Sequence, residues 1–130
     1  MKYRLRFDPK LPHNGVLVIT VELIHRYRHQ TLPMVFDTGA AYTCLPSSVV
    51  GYLNPTPAGT QQILGLITSQ VGRYVIDEVN INGVLVARDV VVLAYDLVGP
   101  VYAKGLLGLS FLKHFPFFVD FQRGVIEFHY

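Results

Sequence analysis

An all-β fold with one short helix is the architecture that the sequence predicts, and three observations predict it. Charged and apolar residues alternate with a period of two from Lys2 to Phe7, as on a strand with one wet face. The pair Asn82-Gly83 sits between the apolar runs Val79-Asn80-Ile81 and Val84-Leu85-Val86, a strong hairpin signal. Helical spacing is confined to Gly105–Phe115, where Leu109, Phe111, Leu112 and Phe115 recur ahead of the helix-ending Pro116.

The remaining elements follow in chain order. Val16–Leu23 is rich in Val and Ile and reads as a strand buried on both faces or long in a hairpin. Leu32–Phe36 is a shorter apolar strand that stops at Asp37-Thr38-Gly39, and Tyr42–Leu45 resumes the β pattern. Pro46-Ser47-Ser48 can begin one helical turn. Asn54–Gly59, with two prolines and a glycine, reads as a turn-rich loop. Gln61–Leu66 and Val71–Val79 then form two arms of a hairpin, Asp89–Leu93 a buried strand, and Phe117–Phe121 with Val125–Phe128 a closing strand pair.

Composition limits what such a domain does. The chain has 130 residues, room for a single domain over 1–130. It is 51% hydrophobic and 15% charged, which excludes a disordered chain. So much apolar content in a small domain predicts a well-filled core or apolar surface covered by a partner. The formal charge is +2, too small for a nucleic-acid binder. Six of the eleven Lys and Arg residues fall in residues 1–28 with only two of the nine acids, a solvated basic face. No stretch is long and apolar enough to span a bilayer. The start of the chain lacks a signal peptide's hydrophobic segment. Cys44 is the single cysteine, so no internal disulfide forms, and a cytoplasmic location is expected.

The informative segment is Met34-Val35-Phe36-Asp37-Thr38-Gly39-Ala40. It places a carboxylate at the end of an apolar strand, where the chain must turn. Gly39 lets a backbone N–H approach that carboxylate, and Thr38 adds a hydroxyl with a methyl that tolerates burial. Apolar neighbours and N–H donors pull the acidity of a carboxyl in opposite directions, which is how acid–base carboxylates are tuned. Taken alone, Asp37 and Gly39 also fit an ordinary turn between strands.

Asp37-Thr38-Gly39-Ala40 resembles the active-site signature of aspartic proteases, and Ala41-Tyr42-Thr43-Cys44-Leu45-Pro46 resembles its usual continuation. Gly105–Leu112 is similar to the family's second landmark, an apolar pair and a glycine followed by a short helix. Val119-Asp120-Phe121 and Val125–Phe128 are similar to the strands that close such domains. The likeness covers residues 15–129, and it is to the single-domain, retropepsin-like branch. That resemblance implies a closed β-barrel, a single pepsin-type lobe. It implies an aspartic endopeptidase that hydrolyses peptide bonds in extended polypeptide segments without metal or cofactor.

Such chemistry needs two carboxylates sharing a proton, one activating water while the other protonates the scissile carbonyl. None of the other acids is followed by Thr-Gly or Ser-Gly, so the resemblance implies a homodimer with a two-fold axis between two Asp37 side chains. It further implies that Thr38 bonds across that axis, and that Gly39, Ala40 and Ala41 face substrate. The hairpin of residues 62–69 would be a flap, with Gly65, Leu66 and Ile67 closing over the peptide. Three departures stand out. Ala41 replaces the usual Ser or Asp, Ser110 stands where many relatives have Asp or Asn, and the flap is poor in glycine.

Other chemistries fit less well. Gly108-Leu109-Ser110 begins like a nucleophile elbow but lacks its final glycine. Cys44 has no Cys-x-x-Cys partner, which predicts a buried, inert thiol. His25 and His29 lie four apart on a strand, a poor spacing for a shared metal, and His114 suits a helix C-terminus. Two rivals to an active protease share its fold: a non-catalytic module that binds peptides or proteins, and a monomeric form in which Asp37 is structural.

Overall fold

The computed structural model describes residues 1–10, 16–63, 69–98 and 104–130. Among the described residues ten strands and two helices follow one another as β1 (Lys2–Arg6), β2 (Val18–His25), β3 (Arg28–Phe36), β4 (Thr43–Leu45), α1 (Ser47–Leu53), β5 (Thr56–Ile63), β6 (Ser69–Ile81), β7 (Leu85–Ala94), β8 (Gly105–Leu107), α2 (Leu109–Leu112), β9 (Phe117–Asp120) and β10 (Val125–His129). The larger sheet runs β2-β3-β8-β4-β7-β6-β5, and a further pairing of β2 with β6 closes its first six members into a barrel. Closure joins the two ends of that six-stranded set and leaves β5 outside it as an edge strand. The barrel is mixed, because β8 lies parallel to β3 and β4 lies parallel to β7.

Alternation fills the barrel. In β2 the side chains of Ile19, Val21 and Leu23 turn inward, and in β7 Leu85 and Ala87 do the same. Beyond Asp89 the inward parity of β7 switches to Val90 and Val92, and in β6 it switches from Ile76 to Val79 and Ile81. Both switches fall where Asp77 and Asp89 would face each other, between the pairs Ile76–Val90 and Glu78–Arg88. Asp89 there has a φ of 52°, a left-handed conformation uncommon for a residue with a Cβ. The two strands therefore bend together, and the two acids take the exposed positions at the corner.

The predicted hairpin at Asn82-Gly83 is present. Both residues are left-handed, with φ of 54° and 67°, and Val84 N–H closes the turn on Ile81 O at 3.1 Å. The helical turn expected at Pro46-Ser47-Ser48 extends to Leu53, because Val49, Val50 and Leu53 pack into the core. Its start is capped from a distance. Asp96 accepts the Ser47 N–H at 2.9 Å and the Ser47 hydroxyl at 2.7 Å. These two bonds hold the Asp96 carboxyl below the usual carboxylate range.

One expectation needs correction. Thr56–Gly59 is not loop but the start of β5, which among the described residues pairs only with β6. An edge strand tolerates Pro57, and the register slips between Pro57 and Thr60, where Gly59 takes a φ of 89°. Pro and Gly here mark a bulged edge strand rather than its absence.

The chain ends form a second sheet in the order β1-β10-β9. Tyr3, Leu5, Phe117 and Val119 pack toward the barrel beside the buried Ile126 and Phe128. The opposite face is charged, and Arg4 Nε donates to Glu127 at 2.7 Å, with Lys2 and His129 close by. No helix among the described residues is long and apolar enough to cross a membrane.

The Arg4 hydrogen bond lowers the Glu127 pKa most, the charges of Lys2, Arg4 and His129 add to it, and partial desolvation opposes them. A carboxyl whose pKa falls on folding stabilises the fold above its unfolded value, and that contribution disappears as pH falls through the folded value. Amide protection of Tyr3–Leu5 should therefore drop between about pH 5 and pH 3. In Glu127→Gln, protection should already be low at neutral pH and change little with acid. Hydrogen-exchange protection factors would read both.

Candidate active site

Asp37 sits where β3 leaves the barrel. Its backbone N–H donates to Leu107 O at 3.0 Å, and the preceding Phe36 N–H donates to Leu17 O at 2.8 Å. The chain then reverses. Ala40 N–H donates to Asp37 O at 3.3 Å, and Gly39 N–H donates to the Asp37 carboxylate Oδ1 at 2.9 Å. A Cβ on Gly39 would lie 3.2 Å from that same oxygen, tighter than ordinary contact. A side chain there would push the carboxylate away by a few tenths of an ångström. Asp37 is half-buried while Thr38 and Gly39 are exposed, so the tip of the turn projects from the barrel.

Behind the turn, β8 is threaded between β3 and β4. Met34, Val35 and Phe36 pair in parallel with Gly105, Leu106 and Leu107, and Leu106 also faces Cys44 of β4. Two glycines allow the threading. A Cβ on Gly105 would run into the Cys44 carbonyl, and one on Gly108 would lie 2.5 Å from Tyr42 O and 2.7 Å from Ala40 O. Leu109 N–H donates to Ala40 O at 2.8 Å, so the start of α2 is bonded directly to the Asp37 turn.

A buried polar pair locks this packing. Thr43 Oγ1 accepts the Gly108 N–H at 3.2 Å, and Ser110 Oγ accepts the Thr43 N–H at 2.8 Å. Thr43 is fully buried and Ser110 nearly so. Thr43 belongs to the segment that resembles the continuation of the aspartic protease signature, but the pattern does not reveal its bonds, since a threonine in an apolar strand looks like any β-branched residue. Its partner is 67 residues away, a separation no local signal spans.

Cys44 is buried beside the site. Burial chiefly, and the Asp37 carboxylate secondarily, push its thiol up to about 11, so the thiolate is scarce at neutral pH. The inert thiol expected from sequence is what the surroundings produce.

Of the residues expected to form a site, Asp37, Thr38, Gly39, Ala40 and Ala41 are brought together on one turn. Gly65, Leu66 and Ile67 lie outside the described residues. The arms of their hairpin are in place, with Gln62 opposite Gln70 and Ile63 opposite Ser69.

A closed barrel with a carboxylate-bearing turn projecting from one strand end, and a glycine-led strand and short helix packed behind it, is the architecture of a pepsin-type lobe. The chain matches the model of the "gag-polyprotein putative aspartyl protease" family over residues 26–114. It belongs to that aspartyl protease family. Its fold is similar to the crystal structure of a retropepsin-like aspartic protease from Rickettsia conorii, with a TM-score of 0.69 and 16% identity over 100% of this chain and 91% of that one. No curated protein matches the sequence significantly.

The polar pair has a direct test. Thr43→Val keeps the shape of the side chain but strands the buried Gly108 N–H, which costs about 1–3 kcal/mol. Thermal or denaturant unfolding should show that loss, and Thr43→Ser, which restores the acceptor, should recover much of it.

Proposed function

We propose that the protein is an aspartic endopeptidase whose active site is completed by a second copy of the chain. The observation behind this reading is the placement of Asp37. One carboxylate is anchored rigidly by β8, on a turn whose Thr38-Gly39 tip is exposed. A second Asp37 approaching along a two-fold axis would meet it at that tip. One carboxylate then takes a proton from water, and the other gives its proton to the scissile carbonyl oxygen. Thr38 would bond across the axis, and Gly39, Ala40 and Ala41 would face an extended peptide bound by strand-like main-chain hydrogen bonds. Gly65, Leu66 and Ile67 would cover it as a flap.

The terminal sheet suits the partner's approach. Phe36, next to Asp37, stacks edge-on against Phe117 of β9 at 5.3 Å between ring centroids. That places β9, which among the described residues has a neighbour on one side only, near the site. Phe118 on β9 is 62% exposed and Phe121 beyond it 55%, large apolar groups that a partner would cover. The surplus of apolar residues thereby gains a role.

Asp37→Asn is the decisive substitution. Peptide cleavage should fall by a factor on the order of a thousand or more, while the melting temperature and the dimer seen by sedimentation stay as in the wild type. Undiminished cleavage in that variant would refute the mechanism. A wild-type chain that dimerises and binds peptides without cutting any would favour the binding-module reading.

A further inference from the structure

A cavity of about 350 Å³ opens next to the Asp37 turn, lined by Ala41, Tyr42, Arg73, Leu109, Lys113 and His114, among others. Its charge is lopsided. Arg73 and Lys113 face a single acid, Asp89, and among the described residues no carboxylate lies within salt-bridge distance of either.

Arg73 is half-buried and held by neutral partners. Its Nη1 donates to the Tyr42 hydroxyl at 3.3 Å and to Gln61 Oε1 at 3.2 Å, and its guanidinium lies over the Tyr42 ring at 5.3 Å. These contacts fix the side chain in place but leave its charge uncompensated. A guanidinium has five N–H donors in a fork that matches a carboxylate. Two contacts on one nitrogen leave Nη2 and Nε without an acceptor among the described residues. The arrangement is a preorganised anion acceptor, because the cost of ordering the side chain is met before any ligand arrives.

Its position ties it to the substrate path. Ala41 and Tyr42 continue directly from the Asp37 turn, and the four residue steps from Asp37 to Ala41 span at most about 14 Å. An extended peptide covers that distance in about four residues. We infer that this cavity is a specificity subsite that takes an acidic side chain of the polypeptide substrate, within four residues of the scissile bond, with Arg73 as the selecting group and Lys113 assisting. The inference rests on the protease reading for its substrate, while the anion-binding chemistry stands on Arg73 itself.

The test uses end-blocked peptides, so that terminal charges play no part, in which each position near the cut carries Glu, Gln or Lys in turn. At one position Glu should be preferred over Gln by about tenfold in kcat/KM, with Lys the poorest. Arg73→Glu should reverse that order, and Arg73→Lys should keep it. Equal cleavage of the three peptides at every position would overturn the inference, as would a Glu preference that survives Arg73→Glu. Should Arg73→Glu fail to fold, Lys113→Glu, on an exposed residue, should still weaken the Glu preference, and no change there would count against the subsite. Equilibrium binding of the same peptides to the Asp37→Asn protein separates the two readings. A Glu preference in binding without cleavage by the wild type would refute the protease and leave the anion subsite standing. Cleavage without any charge preference would do the reverse.

Discussion

Strand β8 is three residues long, and it is gripped from both sides, by β3 in parallel and by β4 in antiparallel. Gly105 and Gly108 at its ends lie where any side chain would strike the backbone of residues 40–44. That close approach lets Leu107 O accept the Asp37 N–H and lets Ala40 O accept the Leu109 N–H. The turn bearing Asp37 is thus tied at both its ends to one short segment. A carboxylate on a free hairpin would sample many orientations; this turn is held by bonds to the β8 segment inside the barrel sheet.

Rigidity of that kind is what a shared-proton pair requires, since small displacements of reacting groups are costly in rate. The barrel positions one carboxylate beside the exposed Thr38-Gly39 tip, and in the proposed dimer a second copy would complete the site and cover the exposed Phe118. The terminal sheet joins the two ends of the chain, with Met1 and Tyr130 bonded to each other in both directions, so the same sheet that seals the barrel presents the proposed contact surface.

Much of this was legible in the residues. Period-two patterning marks the strands because each has one buried face, and Asn82-Gly83 marks its hairpin because both residues adopt left-handed angles cheaply. Asp37-Thr38-Gly39 announces a turn with a placed carboxylate. What was hidden depends on distant partners. The extent of α1 follows from core contacts and from the Asp96 cap, 49 residues away. Thr56–Gly59 reads as loop because Pro and Gly punctuate loops and bulged edge strands alike. The Thr43–Ser110 lock and the Arg73–Tyr42 contact, 31 residues apart, join elements whose adjacency only the barrel creates. The synchronous bend of β6 and β7 at Asp77 and Asp89 breaks the very alternation by which strands are recognised.

The central claim is that one active site needs an Asp37 from each of two chains, and mixing tests it most directly. Wild-type protein and Asp37→Asn protein are combined at fixed total concentration and allowed to exchange subunits, and peptide cleavage is followed as the wild-type fraction falls. If both carboxylates act together, activity follows the square of that fraction, so an equal mixture retains about one quarter of the wild-type rate. Retention of one half, with activity linear in the wild-type fraction, would show that each chain works alone and would contradict the account.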